Sequence, residues 1–234
     1  MRYFSFFMMG FLLIPSLLLG QAVLSDKDFG IYFSPSIGGT FAKYKNLNQS
    51  LNNAGHSTFN NLHIGVGLDL SLDYKNISGF FHVFSSLGQT KQNRFGLNNS
   101  TDILSTEIGL EYRINLDPIH KIQMSFFGSR GSMLTTLTIE KGTNANDFTD
   151  VLAGNGNTTS LDNISTFWAG GIGLYWKRGD NLRYNLKLGY RRNEDAFWIP
   201  YTSNSVVANS PKDNLSGLFA NIGLDVNINV FKKN

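Results

Sequence analysis

From Leu62 to Tyr74 every second residue is apolar: Leu62, Ile64, Val66, Leu68, Leu70, Leu72 and Tyr74. Between them stand His63, Gly65, Gly67, Asp69, Ser71 and Asp73. A strand turns successive side chains to opposite faces, so this run has one greasy face and one polar face. The pattern recurs in Leu104–Leu116, Leu182–Tyr190 and Leu218–Val230. Alternation bounded by turn residues predicts eight strands: Phe29–Tyr44, Leu62–Tyr74, Ile77–Thr90, Asp102–Leu116, Lys121–Glu140, Asn163–Lys177, Leu182–Arg192 and Asn214–Phe231. In the sixth, Ile164, Trp168, Ile172, Leu174 and Trp176 share a face. In the fifth, Ile122, Met124 and Phe126 start in phase, but past Gly128 the apolar set becomes Met133, Leu137 and Ile139, which predicts a bulge. Phe80, Phe81, Val83 and Phe84 leave the facing of the third strand open.

The links alternate in length. Those at 45–61, 91–101, 141–162 and 193–213 are long and polar, whereas Lys75-Asn76, Asp117–His120 and Arg178–Asn181 are short. Outer-membrane barrels have short periplasmic turns and long outer loops. The prediction is an all-β, antiparallel, up-and-down transmembrane β-barrel of eight strands, with ten as the alternative. Both ends of an eight-stranded barrel fall on the periplasmic side.

The amino-terminal residues change the picture further. Arg2, an apolar stretch from Phe6 to Leu19 and then Gly20-Gln21-Ala22 predict a secretory signal peptide over 1–22, leaving 23–234 as the barrel domain. Charged residues make up 16% of the chain, against ~25% in typical soluble domains. Cysteine is absent, so disulfides and thiolate metal sites are excluded. A net charge of +3 is too small to suggest nucleic-acid binding.

Composition of the polar face indicates which side meets lipid. It is mostly Gly, Ser and Asn, with Asp69, Asp73, Glu107, Glu111 and Asp225 set against Arg113, Arg183, Lys187 and Arg191. An eight-stranded barrel is just wide enough inside for side chains, and buried charges must pair. These nine residues are therefore expected to form an interior charge network. The opposite face carries the candidate aromatic girdle, with Phe41, Trp168 and Tyr190 in one belt and Tyr74, Trp176 and Tyr184 in the other. Trp168 and Trp176 should differ by roughly 20 Å in height at ~3.3 Å per residue and ~40° tilt.

On this patterning residues 28–231 resemble the small eight-stranded outer-membrane β-barrels of diderm bacteria, the outer-membrane protein A and X type. The run Leu218-Phe219-Ala220-Asn221-Ile222-Gly223-Leu224-Asp225-Val226-Asn227-Ile228-Asn229-Val230-Phe231 resembles that family's carboxy-terminal assembly signal. The resemblance implies the outer membrane as location, its lipids as surroundings and the barrel assembly machinery as a partner in biogenesis. It implies no cofactor.

Some small barrels act on lipids through His and Ser at the membrane face. Here His56, His63, His82 and His120 form no His-x-Ser triplet on one face, and His82 and Ser85 point to opposite sides. Glu194-Asp195 has no nearby His in sequence, unlike the outer-membrane protease pattern. Asp147, Asp150, Asn155 and Asn157 are oxygen-rich but fit no calcium-loop spacing. Gly154-Asn155-Gly156 reads as a turn, with no helix after it to cradle phosphate. In the last outer loop Phe197, Trp198 and Tyr201 form an aromatic cluster, expected to be exposed and able to touch a partner. The leading expectation is a non-enzymatic barrel with a filled interior whose outer loops serve surface contact, adhesion or envelope integrity. The alternatives are a narrow porin or carrier of small apolar molecules, a lipid-modifying enzyme, and a soluble barrel binding a hydrophobic ligand.

Overall fold

A computed structural model describes residues 29–92, 98–140, 159–178, 181–200 and 209–228. The expected signal peptide, Phe231, Tyr201 and the oxygen-rich 147–157 stretch lie outside the described residues. The elements are β1 (Phe29–Phe41), α1 (Lys45–Asn53), β2 (Leu62–Tyr74), β3 (Ile77–Ser86), β4 (Gln89–Gln92), β5 (Asn98–Asp117), β6 (Ile122–Ile139), β7 (Thr159–Arg178), β8 (Leu182–Asn193), β9 (Ala196–Pro200), β10 (Lys212–Asp213) and β11 (Gly217–Asn227). Eight of these strands close a ring of antiparallel pairs in the order β1, β2, β3, β5, β6, β7, β8, β11 and back to β1. The chain is an all-β, closed eight-stranded antiparallel barrel. Closure pairs the backbone donors and acceptors around the sheet and leaves no free edge, which a spanning sheet in hydrocarbon requires.

Alternation holds around the ring. Ile64, Val66 and Leu68 are exposed, while His63, Asp69, Ser71 and Asp73 are buried. On β3, Ser78, Phe80, His82 and Phe84 point inward. The fifth expected strand departs from its reading. Pairing runs unbroken from Gln123 to Ile139 on both sides of β6, so there is no bulge at Gly128. The apolar set changes faces instead. Near the membrane Phe126 points outward; higher up Met133, Leu137 and Ile139 point inward, in step with Phe127. There the inward side packs into a closed apolar cluster with Leu47 and Leu51 of α1, while Leu104 and Ile164 still face outward. The irregularity lies elsewhere, between Asn115 and Asp117 of β5.

Strands β5 and β7 outrun the expected segments, while β6 keeps within its own, because polar Thr and Ser rows carry the ladder upward, for example Ser100, Thr138 and Ser160 in register. The first long link folds into α1, and the last carries β9 and β10. The short turns have local causes. Asp117 Oδ1 accepts from the N–H of Ile119 at 2.9 Å and of His120 at 3.1 Å, an Asx-type turn. Burial of the lumen relies on glycine. Gly109 faces Phe80, Gly171 faces Phe127, Gly131 faces Phe167 and Gly189 faces Phe219 across neighbouring strands. A Cβ on Gly171 would sit 2.7 Å from the Phe127 ring, and the other three would come to 2.5 Å.

Candidate functional site

Two layers fill the barrel, and the register sets their heights. Toward the short turns lies a polar layer. Arg183 bridges Asp73, at 2.6 Å, and Asp225, while Arg113 also pairs with Asp73. Arg113 reaches Glu111 at 3.3 Å, and Lys187 lies 3.5 Å from Asp69 and 4.0 Å from Glu111. Ser34 and Asn185 donate to the other oxygen of Asp225. All of these groups are buried. Their mutual pairing offsets a desolvation cost of several kcal/mol per ion.

Two residues of the expected charge network stand apart. Glu107 accepts a 2.7 Å hydrogen bond from Ser129. Arg191 meets no carboxylate at bridging distance among the described residues; its guanidinium stacks 4.3 Å from the Phe167 ring centroid and touches Thr40 and Met133.

Tyr32 and Tyr175, not singled out in the sequence, and His82, weighed there only as a catalytic candidate, complete this layer. Tyr32 lies beneath Arg183 at 3.9 Å, and Tyr175 beneath Arg113 at 4.7 Å. His82 Nδ1 meets Asp69 Oδ1 at 2.5 Å. Their signal was the inward phase alone: Tyr175 sits between outward Leu174 and Trp176.

Above the charges the filling turns apolar. Phe80, Phe127, Phe167 and Phe219 join Met133, Ile103, Leu137, Ile139, Leu161 and Leu215 in one cluster. Leu47 and Leu51 of α1 close it from above, each fully buried, a gain of about 1.5–3 kcal/mol per leucine. Asn48 holds the incoming strand by exchanging hydrogen bonds with Phe59 at 3.0 and 2.9 Å. The helix start is capped from the far end of the chain. Asp213 accepts from the N–H of Asn46 at 2.9 Å and of Leu47 at 3.0 Å. Burial pushes the Asp213 carboxyl above the usual carboxylate range. Burial likewise raises the Tyr44 hydroxyl, which bonds His63 Nε2 at 2.7 Å.

Trp198 belongs to this cluster, which corrects its assignment to an exposed contact patch: it is fully buried and its Nε1 lies 3.4 Å from Asp213. The reason is the pleat, because β9 extends the sheet beside β7 and turns Trp198 inward and Phe197 outward. Of the expected trio only Phe197 is seen exposed.

The expected girdle residues all face outward: Phe41, Tyr74, Trp168, Trp176, Tyr184 and Tyr190. Trp176 and Tyr184 pair in register with ring centroids 6.1 Å apart.

The four histidines are scattered. His63 and His82 are buried, His56 sits by Asn99, and His120 bonds Asp117 at 2.5 Å in a periplasmic-type turn. That bond holds the Asp117 carboxyl below its usual range. Asp195 pairs with Lys212 at 3.7 Å. No cluster of three metal-ligating His or acidic residues occurs among the described residues.

This architecture matches solved structures. The attachment invasion locus protein Ail of Yersinia pestis, solved with the heparin analogue sucrose octasulfate, superposes with a TM-score of 0.52 at 12% identity, covering 86% of this chain and 99% of that one. The chain has the fold of the small eight-stranded outer-membrane β-barrels. Neisserial surface protein A gives a TM-score of 0.44 at 12% identity, over 84% of this chain and 96% of the other. The outer membrane protease OmpT of Escherichia coli gives 0.38 at 10% identity, over 88% and 99%. No family model and no curated protein sequence matches this chain.

Proposed function

We propose that this is a non-enzymatic, non-conducting barrel of a diderm outer membrane, inserted by the barrel assembly machinery, whose outer rim makes contacts at the cell surface. The observation that carries this reading is the apolar rim core. Leu47 and Leu51 of α1 close the mouth over stacked phenylalanines, and Asp213 clamps the helix in place. An ion crossing this barrel would have to pass the packed rim core and then a paired charge layer, and would give up hydration at both. The same core stiffens the extended β5, β6 and β7 above the membrane, and sites on rigid elements present side chains better than free loops.

Planar-bilayer recording and attachment assays test the two halves. The protein should give no conductance steps, and cells displaying it should adhere to surfaces that matched cells without it do not. Steady conductance would replace this reading with a narrow porin. Equal attachment would remove the contact role.

A further inference from the structure

On the outward face one row departs from the apolar pattern of the lower barrel. Arg130 of β6 pairs in register with Trp168 of β7, which pairs in register with Arg192 of β8. All three side chains are exposed, and the Arg130 guanidinium lies 5.1 Å from the Trp168 ring centroid. The two arginines stand about 10 Å apart across three strands. Neither forms a salt bridge with a carboxylate among the described residues, and Glu194 lies one row above.

The row holds Trp168, an outward aromatic of the upper girdle, and such girdles mark the membrane interface. Below it on β7 and β8 come Tyr190, then Ile172 beside Leu188, Leu174 beside Leu186, and Trp176 beside Tyr184. At that height an outward arginine costs only ~0–1 kcal/mol, against ~2–4 at the midplane.

Directly beneath the row, Gly128 faces Gly170. A Cβ on Gly128 would meet nothing within 4 Å, and one on Gly170 only the Phe127 carbonyl at 3.5 Å. This open notch is walled by Leu110 on one side and Tyr190 on the other, in the same register row.

We propose that Arg130 and Arg192, on either side of Trp168, bind the phosphate of an anionic outer-leaflet lipid headgroup, with an acyl chain lying in the Gly128–Gly170 notch. Guanidinium donors match phosphate oxygens and tolerate the interface, and Trp168 orients one of them by cation–π contact. Charge complementarity above and an apolar slot below fit a lipid in one orientation. The inference rests on the outward face meeting lipid, which the heat-modifiability of each sample checks separately.

The test is native mass spectrometry of the detergent-solubilised protein titrated with bis-phosphorylated lipid A. Arg130→Gln with Arg192→Gln should weaken binding about tenfold, and each single change by part of that. Gly128→Leu, which fills the notch and keeps both charges, should also weaken it. Dephosphorylated lipid A should bind the unaltered protein no better than lipid A binds the double variant. Inorganic phosphate should not compete at millimolar levels. Lys75→Gln with Lys121→Gln, two exposed charges at the opposite belt, should change nothing. Undiminished binding by the double variant, or by both single variants if the double does not fold, overturns the site. So does equal binding of the dephosphorylated lipid, equal loss in the Lys75 and Lys121 control, or displacement by free phosphate.

Discussion

The carboxylate of Asp213 accepts a 3.0 Å hydrogen bond from the backbone N–H of Leu47, which lies 166 residues earlier in the chain. One end of the barrel's sequence thereby holds the helix that closes the mouth formed by the other. No side chain within α1 or beside it caps that helix start. Without Asp213, the Leu47 amide would be left buried and unpaired, and the part-buried Asn46 amide would lose its partner.

Asp213→Ala is expected to destabilise α1 by about 1 kcal/mol and leave the barrel folded. Hydrogen exchange at residues 45–53 should speed up while exchange in β2 and β8 stays slow. A helix as protected as before would show that the cap contributes nothing.

A pH dependence follows from the burial of the same carboxyl. Its folded-state value is raised above that of the unfolded chain, about 3.9. The native state therefore holds the proton more tightly. The associated stability is complete below that value and is lost as pH rises through the raised one. Corrected for intrinsic rates, protection of 45–53 should fall as pH rises from about 4 toward neutrality. Asp213→Asn should abolish that dependence, and a slope surviving in Asp213→Asn would assign it to another group.

Arg183 and Arg191 should behave differently although both are buried arginines of β8. Arg183→Ala removes the one basic partner of Asp225 among the described residues and leaves Asp73 with Arg113 alone, and should cost about 3–5 kcal/mol in urea unfolding from detergent micelles. Arg191→Met keeps the volume against Phe167 and removes a charge that has no bridging acid, so it should cost under about 1.5 kcal/mol. Equal losses would mean that the ion pairs around Arg183 add nothing.

Gly171→Val should impair assembly. Its side chain would enter the space of the Phe127 ring and the Leu188 carbonyl. Overpacking typically costs about 1–3 kcal/mol. Pairing it with Phe127→Ala should restore little of the heat-modifiable species on a gel, because the Leu188 carbonyl would still clash with the added Cβ; full rescue would place the clash in the ring alone.

The sequence by itself determined the facing of the cleanly alternating strands, eight as the leading strand number and the long–short alternation of links, but not the facing of β3 or of the upper half of β6. Those properties are written in a period of two residues and in local turn chemistry, as at Asp117. The girdle positions and the inward set from Asp69 to Asp225 follow from the same period.

Tertiary structure alone decided who meets whom inside. Arg183 selects Asp73 and Asp225 while Arg191 finds a phenylalanine, because partners across a closed barrel depend on register and height, which alternation does not encode. It also decided where the inside becomes apolar. Met133, Leu137 and Trp198 turn inward onto the core that Leu47 and Leu51 of α1 close, although Ile164 and Leu104 still face outward at the same height. The period stays the same along these strands; what changes is the packing offered inside, and that depends on a helix and a strand brought in from distant parts of the chain.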